Sequence, residues 1–422
     1  MLIPMKRNNI LNRKRTNKQI SKSQVGTQGN GMTPEQKFFL QVLSDHLCNQ
    51  RTIPVGNLDW EMLFKLSRAH QMEGIVFYQC KDFMPDRNAF EEPFYATLFY
   101  NKNRRIIMSE IAADLSRRRI PFFTVKGFET AQYYPVPDLR SMGDIDIIVH
   151  EADKKKVGNA FLRRGFTYDA EFVGKEQIYI YQDMQYDLHH HLIYDESITV
   201  PEQEHFFNDC WKYVKDGKLD HSFHFLFLIV HLRKHLLNEG AGFRQFMDIA
   251  ATGKMDSELN WAWIKEKLQE LRLKKFADKC FSLIEFWFGI CLPIAHPELD
   301  KDFCDQATKM IFENGVFGFE NDSNKHNNMV NSLRRFKGPR WLGRGVISLE
   351  RLFPGYRLLC TGDSYAFLRG RPFLLPAAWI YRFYLMTKGK TTSGEEILKQ
   401  IMIPEKMIDS REEDMRLWGL ID

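Results

Sequence analysis

The residues best suited to do chemistry are Asp144 and Asp146, in the run Asp144-Ile145-Asp146-Ile147-Ile148-Val149. Alternation along such a β-rich run puts both carboxylates on one face and Ile145 and Ile147 on the other. At ~3.3 Å per residue their α-carbons lie ~6.6 Å apart. Two carboxylates at that separation can converge on one divalent ion or bridge a pair ~3.5–4 Å apart. Hard cations such as Mg²⁺ prefer oxygen ligands and keep positions open for phosphate and water. A lone Asp-x-Asp is a weak signal that also fits a solvated strand edge, but three neighbours strengthen this one. Lys126-Gly127 ends a strand and opens a helix, where free backbone N–H groups receive phosphate, and Gly127 permits close backbone approach. Arg140, four residues before Asp144, can contact phosphate or orient a carboxylate. Asp187 lies on a later strand with His189 on the same face, a candidate third carboxylate.

Other groups invite chemistry with blander alternatives beside them. In His189-His190-His191 the first and third share a strand face; the choice is metal ligation by His189 or a hydrogen bond from it to Asp187, and the neighbouring acids favour a hard oxygen site over zinc. His231 and His235 share a helix face at i, i+4 but lack the glutamate of a zinc-protease motif. Arg244 and Asp248, also at i, i+4, read as an intrahelical ion pair; Lys234 and Arg244 are further phosphate-binding candidates. Arg334-Arg335, Arg340 and Arg344 interleave with Phe336 and Trp341 as in single-strand nucleic-acid binders, but with no recognisable fold around them they read as a loop packing on helices. Walker A, G-x-G-x-x-G and G-x-S-x-G patterns are absent from the sequence.

Lys126-Gly127, Tyr134-Pro135, Arg140 through Val149, the helix stop at Gly165-Phe166 and Tyr186-Asp187-Leu188-His189 together resemble the nucleotidyltransferase superfamily with a DNA-polymerase-β-like core. More narrowly the chain resembles its family of uncharacterised nucleotidyltransferases, most specifically over 121–192 and more loosely over 33–290, including His231, His235, Arg244 and Asp248. The resemblance implies metal-dependent transfer of a nucleoside monophosphate from a nucleoside triphosphate to a hydroxyl acceptor, with Mg²⁺ or Mn²⁺ as cofactor and pyrophosphate as product. It maps Asp144 and Asp146 onto the paired metal-binding acids and Asp187 onto the third acid, which assists deprotonation of the acceptor. It makes His231 and His235 candidates to line the nucleotide or acceptor pocket. Relatives usually carry Gly-Ser or Gly-Gly at the phosphate turn; here Gly127 precedes Phe128, so the hydroxyl is missing and Lys126 must substitute for it. That departure motivates the alternative, a catalytically silent nucleotide-binding or scaffold protein on the same fold.

The elements that must position these groups divide the chain. Residues 33–118 read as helical, opened by the capping box Thr33-Pro34-Glu35-Gln36 and continued by a helix capped by Asp59. A long helix from about Pro93 ends at Arg117-Arg118-Arg119. Residues 119–200 form the α/β core: a strand over 121–125, a short helix from Phe128 to Tyr134, the Asp144–Val149 strand, a helix capped by Asp153 and running to Arg164, and a hairpin of 178–181 with 186–192. Residues 201–315 read as helical with a break at Gly240 and Gly242, 316–345 as a loop or linker, and 346–422 as helical, with Ser393-Gly394-Glu395-Glu396 near a helix start. The expected fold class is α+β, a small mixed-sheet core flanked by helices.

The chain has 422 residues with 59 Lys and Arg against 54 Asp and Glu, a formal net charge of +5. Seven basic residues and no acid fall in 1–34; outside them 52 basic face 54 acidic residues, so the excess belongs to a leader over 1–32 that is expected to be disordered. A whole-protein nucleic-acid footprint is not supported, and the leader is the one expected exception. At 44% hydrophobic with 34 Phe, the chain can bury a large core, which excludes disordered and collagen-like classes. Seven scattered cysteines without a Cys-x-x-Cys fit a reducing compartment. No apolar run reaches the ~18 residues of a membrane helix. Phe281–Ala295 and Pro372–Met386 read as buried helices, and with no secretory apolar stretch at the start the expected location is cytoplasmic.

Overall fold

The computed structural model describes residues 31–421 except 173–175, 195–199, 239, 299, 316–328, 335, 361–362 and 389–401. The leader and the Ser393–Glu396 helix start lie outside the described residues. Among the described residues four helices come first: α1 (Pro34–Leu47), α2 (Trp60–Ala69), α3 (Glu73–Cys80) and α4 (Asn88–Arg117). Thr33 and Gln36 form the expected capping box, each side chain bonding the other's backbone N–H at 3.2 and 3.0 Å, and Asp59 Oδ1 accepts from Met62 N–H at 2.9 Å. α4 starts five residues before Pro93.

The α/β core follows as β1 (Phe122–Val125), the one-turn α5 (Gly127–Thr130), β2 (Asp144–Val149), α6 (Glu151–Arg163), β3 (Thr167–Phe172), β4 (Glu176–Tyr181) and β5 (Met184–His189). The sheet order is β1-β2-β5-β4-β3; β2 and β5 are parallel and the other pairs antiparallel. The fold class is α+β, as expected. Some details differ. β3, absent from the sequence reading, is an edge strand whose Asp169 and Glu171 mask its β pattern. The hairpin turn is tighter, with Gln182 and Asp183 at φ 50° and 62° as a two-residue loop requires, and β5 ends at His189, which leaves His191 outside the strand. α6 begins directly after β2 with His150 as its cap, so Asp153 lies in the first turn and pairs there with Lys156 at 2.7 Å. α5 is shorter than the expected 128–134 helix and continues as a 3₁₀ turn over Ala131–Tyr133.

The helical body comprises α7 (Pro201–Asn208), a small hairpin β6 (Val214–Lys215) and β7 (Lys218–Leu219), then α8 (His221–Asn238), α9 (Phe243–Gly253), α10 (Trp261–Glu270), α11 (Lys274–Phe288) and α12 (Lys301–Asn314). The hairpin turns on Asp216-Gly217, both at positive φ. Beyond it come α13 (Arg340–Leu352), α14 (Tyr356–Leu359), α15 (Leu375–Thr387) and α16 (Glu405–Leu417). Of the expected 316–345 linker, 316–328 lie outside the described residues, 329–334 are helical and α13 opens at Arg340. Of the basic cluster, Arg334, Arg340 and Arg344 are thus helical, while Arg335 lies outside the described residues; Arg340 pairs with Asp409 at 2.7 Å, and Arg344 bonds the Ile403 carbonyl at 2.6 Å. The expected buried helix over 281–295 is met only as far as Phe288, where α11 ends at its Gly289 cap; in α15 only Ala378 and Leu385 are buried, because among the described residues one side alone of that helix is covered.

The sheet lies between two cores. Ile145, Ile147, Tyr186 and Leu188 pack against α4 and α6 through Ile111, Leu115, Val157 and Phe161. The opposite face carries Asp144, Asp146 and Ile148 on β2 and Asp187 and His189 on β5, and Ile148 joins the larger core built on the helical body. The alternation read from the sequence therefore sends the acids toward the helices. Among the described residues no helix is long and apolar enough to cross a membrane, and every described cysteine is a free thiol.

Candidate metal and phosphate site

Register brings the acids together. Asp146 faces Val125 on β1 and Asp187 on β5, so Lys126, one residue past β1, arrives beside both. Lys126 Nζ lies 2.6 Å from Asp146 Oδ1, and His189 Nε2 lies 3.0 Å from the same oxygen. The imidazole is out of line for a hydrogen bond, so its buried Nε2 has no hydrogen-bond partner. Asp146, Asp187 and His189 each offer a ligand atom within 4.8 Å of the others, the only such group of three among the described residues. An unpartnered imidazole nitrogen beside two carboxylates is a donor set that fits a divalent cation. His189 thus turns toward Asp146, whereas the hydrogen bond expected from its position led to Asp187. Its other nitrogen, Nδ1, is 3.5 Å from Glu176 Oε2 on β4, a carboxylate placed as metal-bound histidines commonly have one.

Asp144 stands at the mouth, exposed to solvent yet walled by protein. That enclosure, and then the charge of Asp146, pushes its carboxyl up; Lys126 and Arg244 act the other way. Burial would also raise Asp146, but Lys126 and His189 outweigh it and hold this carboxyl well below the usual range. Asp187 has no such partner. Burial first, then Asp144 and Asp146, push it up to about 8, while Gln185 Nε2 donates to both its oxygens at 2.9 and 3.1 Å. Lys126 keeps its proton: burial disfavours the charge, but Asp146 and Asp144 more than compensate.

The turn that carries Lys126 is strained. A non-glycine residue at φ 57° and ψ −131° lies outside the ordinary allowed regions and costs of order 1–3 kcal/mol unless its surroundings impose it. His224 of α8 imposes it by accepting the Lys126 N–H at its Nε2, 3.0 Å away; burial holds this imidazole neutral, its pKa lowered to about 4. Sequence reasoning missed His224, although it lies seven residues from His231 on the same helix. A one-turn α5 supplies no helix dipole for phosphate, so the helix-terminus part of the expectation does not carry over.

Gly127 is required by Arg140. A Cβ at 127 would meet Arg140 Nη1 at 2.1 Å. Arg140, 7% exposed, is committed to Asp248 of α9 through Nη2–Oδ2 at 2.5 Å and Nε–Oδ1 at 3.1 Å, and Tyr134 Oη donates to the same Asp248 at 2.8 Å. The expected Arg244–Asp248 pair gives way to this arrangement, because the loop before β2 delivers Arg140 onto Asp248. Arg244 instead donates to Gln71 Oε1 at 2.8 Å and the Ser141 carbonyl at 3.2 Å, and its buried Nε has no partner. From α4, Asn101 bonds the Asp138 and Arg140 carbonyls and Arg104 the Gly143 carbonyl, which fixes the loop that leads into Asp144. Nothing in the composition of α4 signalled these two residues.

His231 and His235 lie with their Nε2 atoms 3.0 Å apart, and burial, then Lys126, lowers both. They border the acid cluster closely enough to feel Lys126, but among the described residues no third metal donor joins them. Lys234 beside them is exposed.

Two acids on adjacent parallel strands and a lysine just past the end of a third, backed by a loop tied to the helical body, form a compact polar cluster whose donors could hold a divalent ion. The family described as uncharacterised nucleotidyltransferase matches residues 56–289, more than half of the chain, and the chain belongs to it. No curated protein and no solved structure matches the chain.

Proposed function

We propose that the protein is a metal-dependent nucleotidyltransferase that moves a nucleoside monophosphate from a nucleoside triphosphate to a hydroxyl acceptor and releases pyrophosphate. The observation that carries this reading is the convergence of Asp146, Asp187 and His189 beside Lys126, in a chain of this family. Asp144 at the solvent-facing mouth, Asp146 and Asp187 would hold Mg²⁺ or Mn²⁺, with His189 as an additional donor. The ion supplies charge neutralisation for the triphosphate. Lys126, kept protonated, and Arg244, whose Nε is unpartnered, supply positive charge for phosphate oxygens. Asp187, the third carboxylate of the cluster, would assist deprotonation of the acceptor hydroxyl once the ion has displaced its own proton. Arg140 and Gly127 act by positioning: the guanidinium packed on the glycine fixes the turn against the β2 loop. His231, His235 and Lys234 line the approach from α8.

The test is substitution of Asp144 or Asp146 by Asn. Metal-dependent nucleotide turnover, followed by mass analysis of nucleotidylated products in cell extract, is expected to disappear while the circular dichroism spectrum is retained. Wild-type turnover in either variant refutes the reading. A second reading, a catalytically silent nucleotide-binding or scaffold protein, is favoured by one observation: the Lys126 ammonium lies on the Asp146 oxygen that a metal would take. Calorimetry with each nucleoside triphosphate, with and without Mg²⁺, separates the two, since silent binding releases no pyrophosphate with any acceptor.

A further inference from the structure

Away from the acid cluster, α13 and α15 join into one surface that the rest of the described chain leaves open. Trp379 Nε1 donates to the Pro354 carbonyl at 2.9 Å and Arg382 Nη2 to the Arg351 carbonyl at 3.3 Å, which fixes the two helices side by side. Phe353, at the end of α13, lies edge-on to Trp379 and Phe383, with ring centroids 5.4 and 6.0 Å away. The outward side is apolar. On α15, Ala377, Ile380, Tyr381 and Tyr384 recur at helical spacing and face solvent, with Ile380 73% exposed; on α13, Trp341 is 74% and Leu349 59% exposed. Large side chains this exposed on neighbouring helices mark a docking face.

Charge identifies the occupant. Residues 331–390 hold twelve Lys and Arg against Glu350 and Asp363, although the chain outside its first 34 residues is near neutral. Asp409 and Glu412 neutralise Arg340, but Arg369, Arg371 and Lys388 are exposed around the apolar face, and Lys388 Nζ stands 5.8 Å over the Tyr384 ring. A symmetric contact with a second copy would set this basic surface against itself. Single-stranded nucleic acid would meet the charge and could stack on Trp341, Tyr381 and Tyr384, but it leaves the aliphatic Ile380 and Leu349 without an apolar partner, whereas a lipid boundary takes up both kinds of side chain. We propose that the α13–α15 face docks on an anionic lipid surface: aliphatic and aromatic side chains enter the headgroup boundary while the basic rim meets the lipid phosphates. This holds whether or not the acid cluster is catalytic.

The test is flotation of the full chain with vesicles of phosphatidylcholine alone and of phosphatidylcholine mixed with phosphatidylglycerol. Binding to the mixed vesicles only, weakened by added salt and reduced about tenfold or more by the double substitution I380D/F383D, is the expected result. Ile380 is 73% exposed, but Phe383 is 40% exposed and also packs on Phe353, so I380D alone, with a wild-type circular dichroism spectrum, must weaken binding in the same direction. Deletion of residues 1–30, which holds the leader's basic residues, should leave most of the binding in place. The proposal is overturned by any of four results: no binding to anionic vesicles, equal binding by the double variant, loss of binding on deleting 1–30, or a concentration-dependent dimer in sedimentation that I380D/F383D abolishes. A gel shift with single-stranded RNA that the double variant abolishes, without vesicle binding, also overturns it.

Discussion

At the scale of residues, Asp144, Asp146 and Asp187 crowd around one ammonium, that of Lys126. Asp146 takes the ammonium, while burial first, and then the charges of Asp144 and Asp146, push the Asp187 carboxyl up to about 8. In the unfolded chain that carboxyl titrates near its ordinary 3.8, so between the two values the folded state holds the extra proton. The associated stability is present at low pH and is lost as pH rises through that window. A bound divalent ion displaces the proton, so the rise in Tm caused by Mg²⁺ or Mn²⁺ should be small at about pH 6 and grow toward pH 8. Scanning calorimetry across that range checks it. Asp187→Asn should flatten the pH trend with and without metal, and a metal effect that shrinks with rising pH would contradict the arrangement.

At the scale of elements, the turn between β1 and α5 and the loop before β2 are one mechanical unit. The Arg140 guanidinium fills the space beside Gly127 and is anchored by Asp248 and Tyr134, so it cannot swing away to admit a methyl group. Gly127→Ala is therefore expected to destabilise the protein by about 1–3 kcal/mol, the usual range for overpacking, read as a lower urea midpoint with unchanged slope. Stability equal to wild type would show that Arg140 has room to move. The sequence placed β2 and the alternation of its faces correctly because those depend on a two-residue period. It paired Arg244 with Asp248 because the i, i+4 rule is local, whereas Arg140 reaches Asp248 across 108 residues.

At the scale of the molecule, α16 closes the main core although it is the last helix. Ile408, Met415 and Trp418 belong to the same buried cluster as α1, α8 and α11, Arg411 donates to the Leu236 carbonyl, and Arg233 donates to the Leu420 carbonyl. Losing a large buried side chain costs about 2–5 kcal/mol, and total stability is only about 5–15 kcal/mol. Truncation after residue 404 should therefore leave a chain that does not fold, seen as loss of cooperative thermal unfolding. A cooperative transition in the truncated chain would mean that the core closes without α16. The α13–α15 face is the opposite case, a part of the chain whose apolar residues the described fold does not bury.

What the sequence determined by itself was periodic or nearest-neighbour in origin: the two carboxylates on one strand face, the capping of α1 and α2, the hairpin, and the family to which Lys126-Gly127 and Asp144 through Val149 belong. Each follows from a few adjacent residues and the fixed geometry of a strand or helix. Tertiary structure alone decided which charges meet: Arg140 with Asp248, His189 with Asp146, His224 under the strained Lys126 turn. It also decided that α15, apolar enough to be read as core, faces outward on one side. Periodicity states which side chains share a face, but what lies opposite that face depends on how distant segments pack, and no local pattern encodes that.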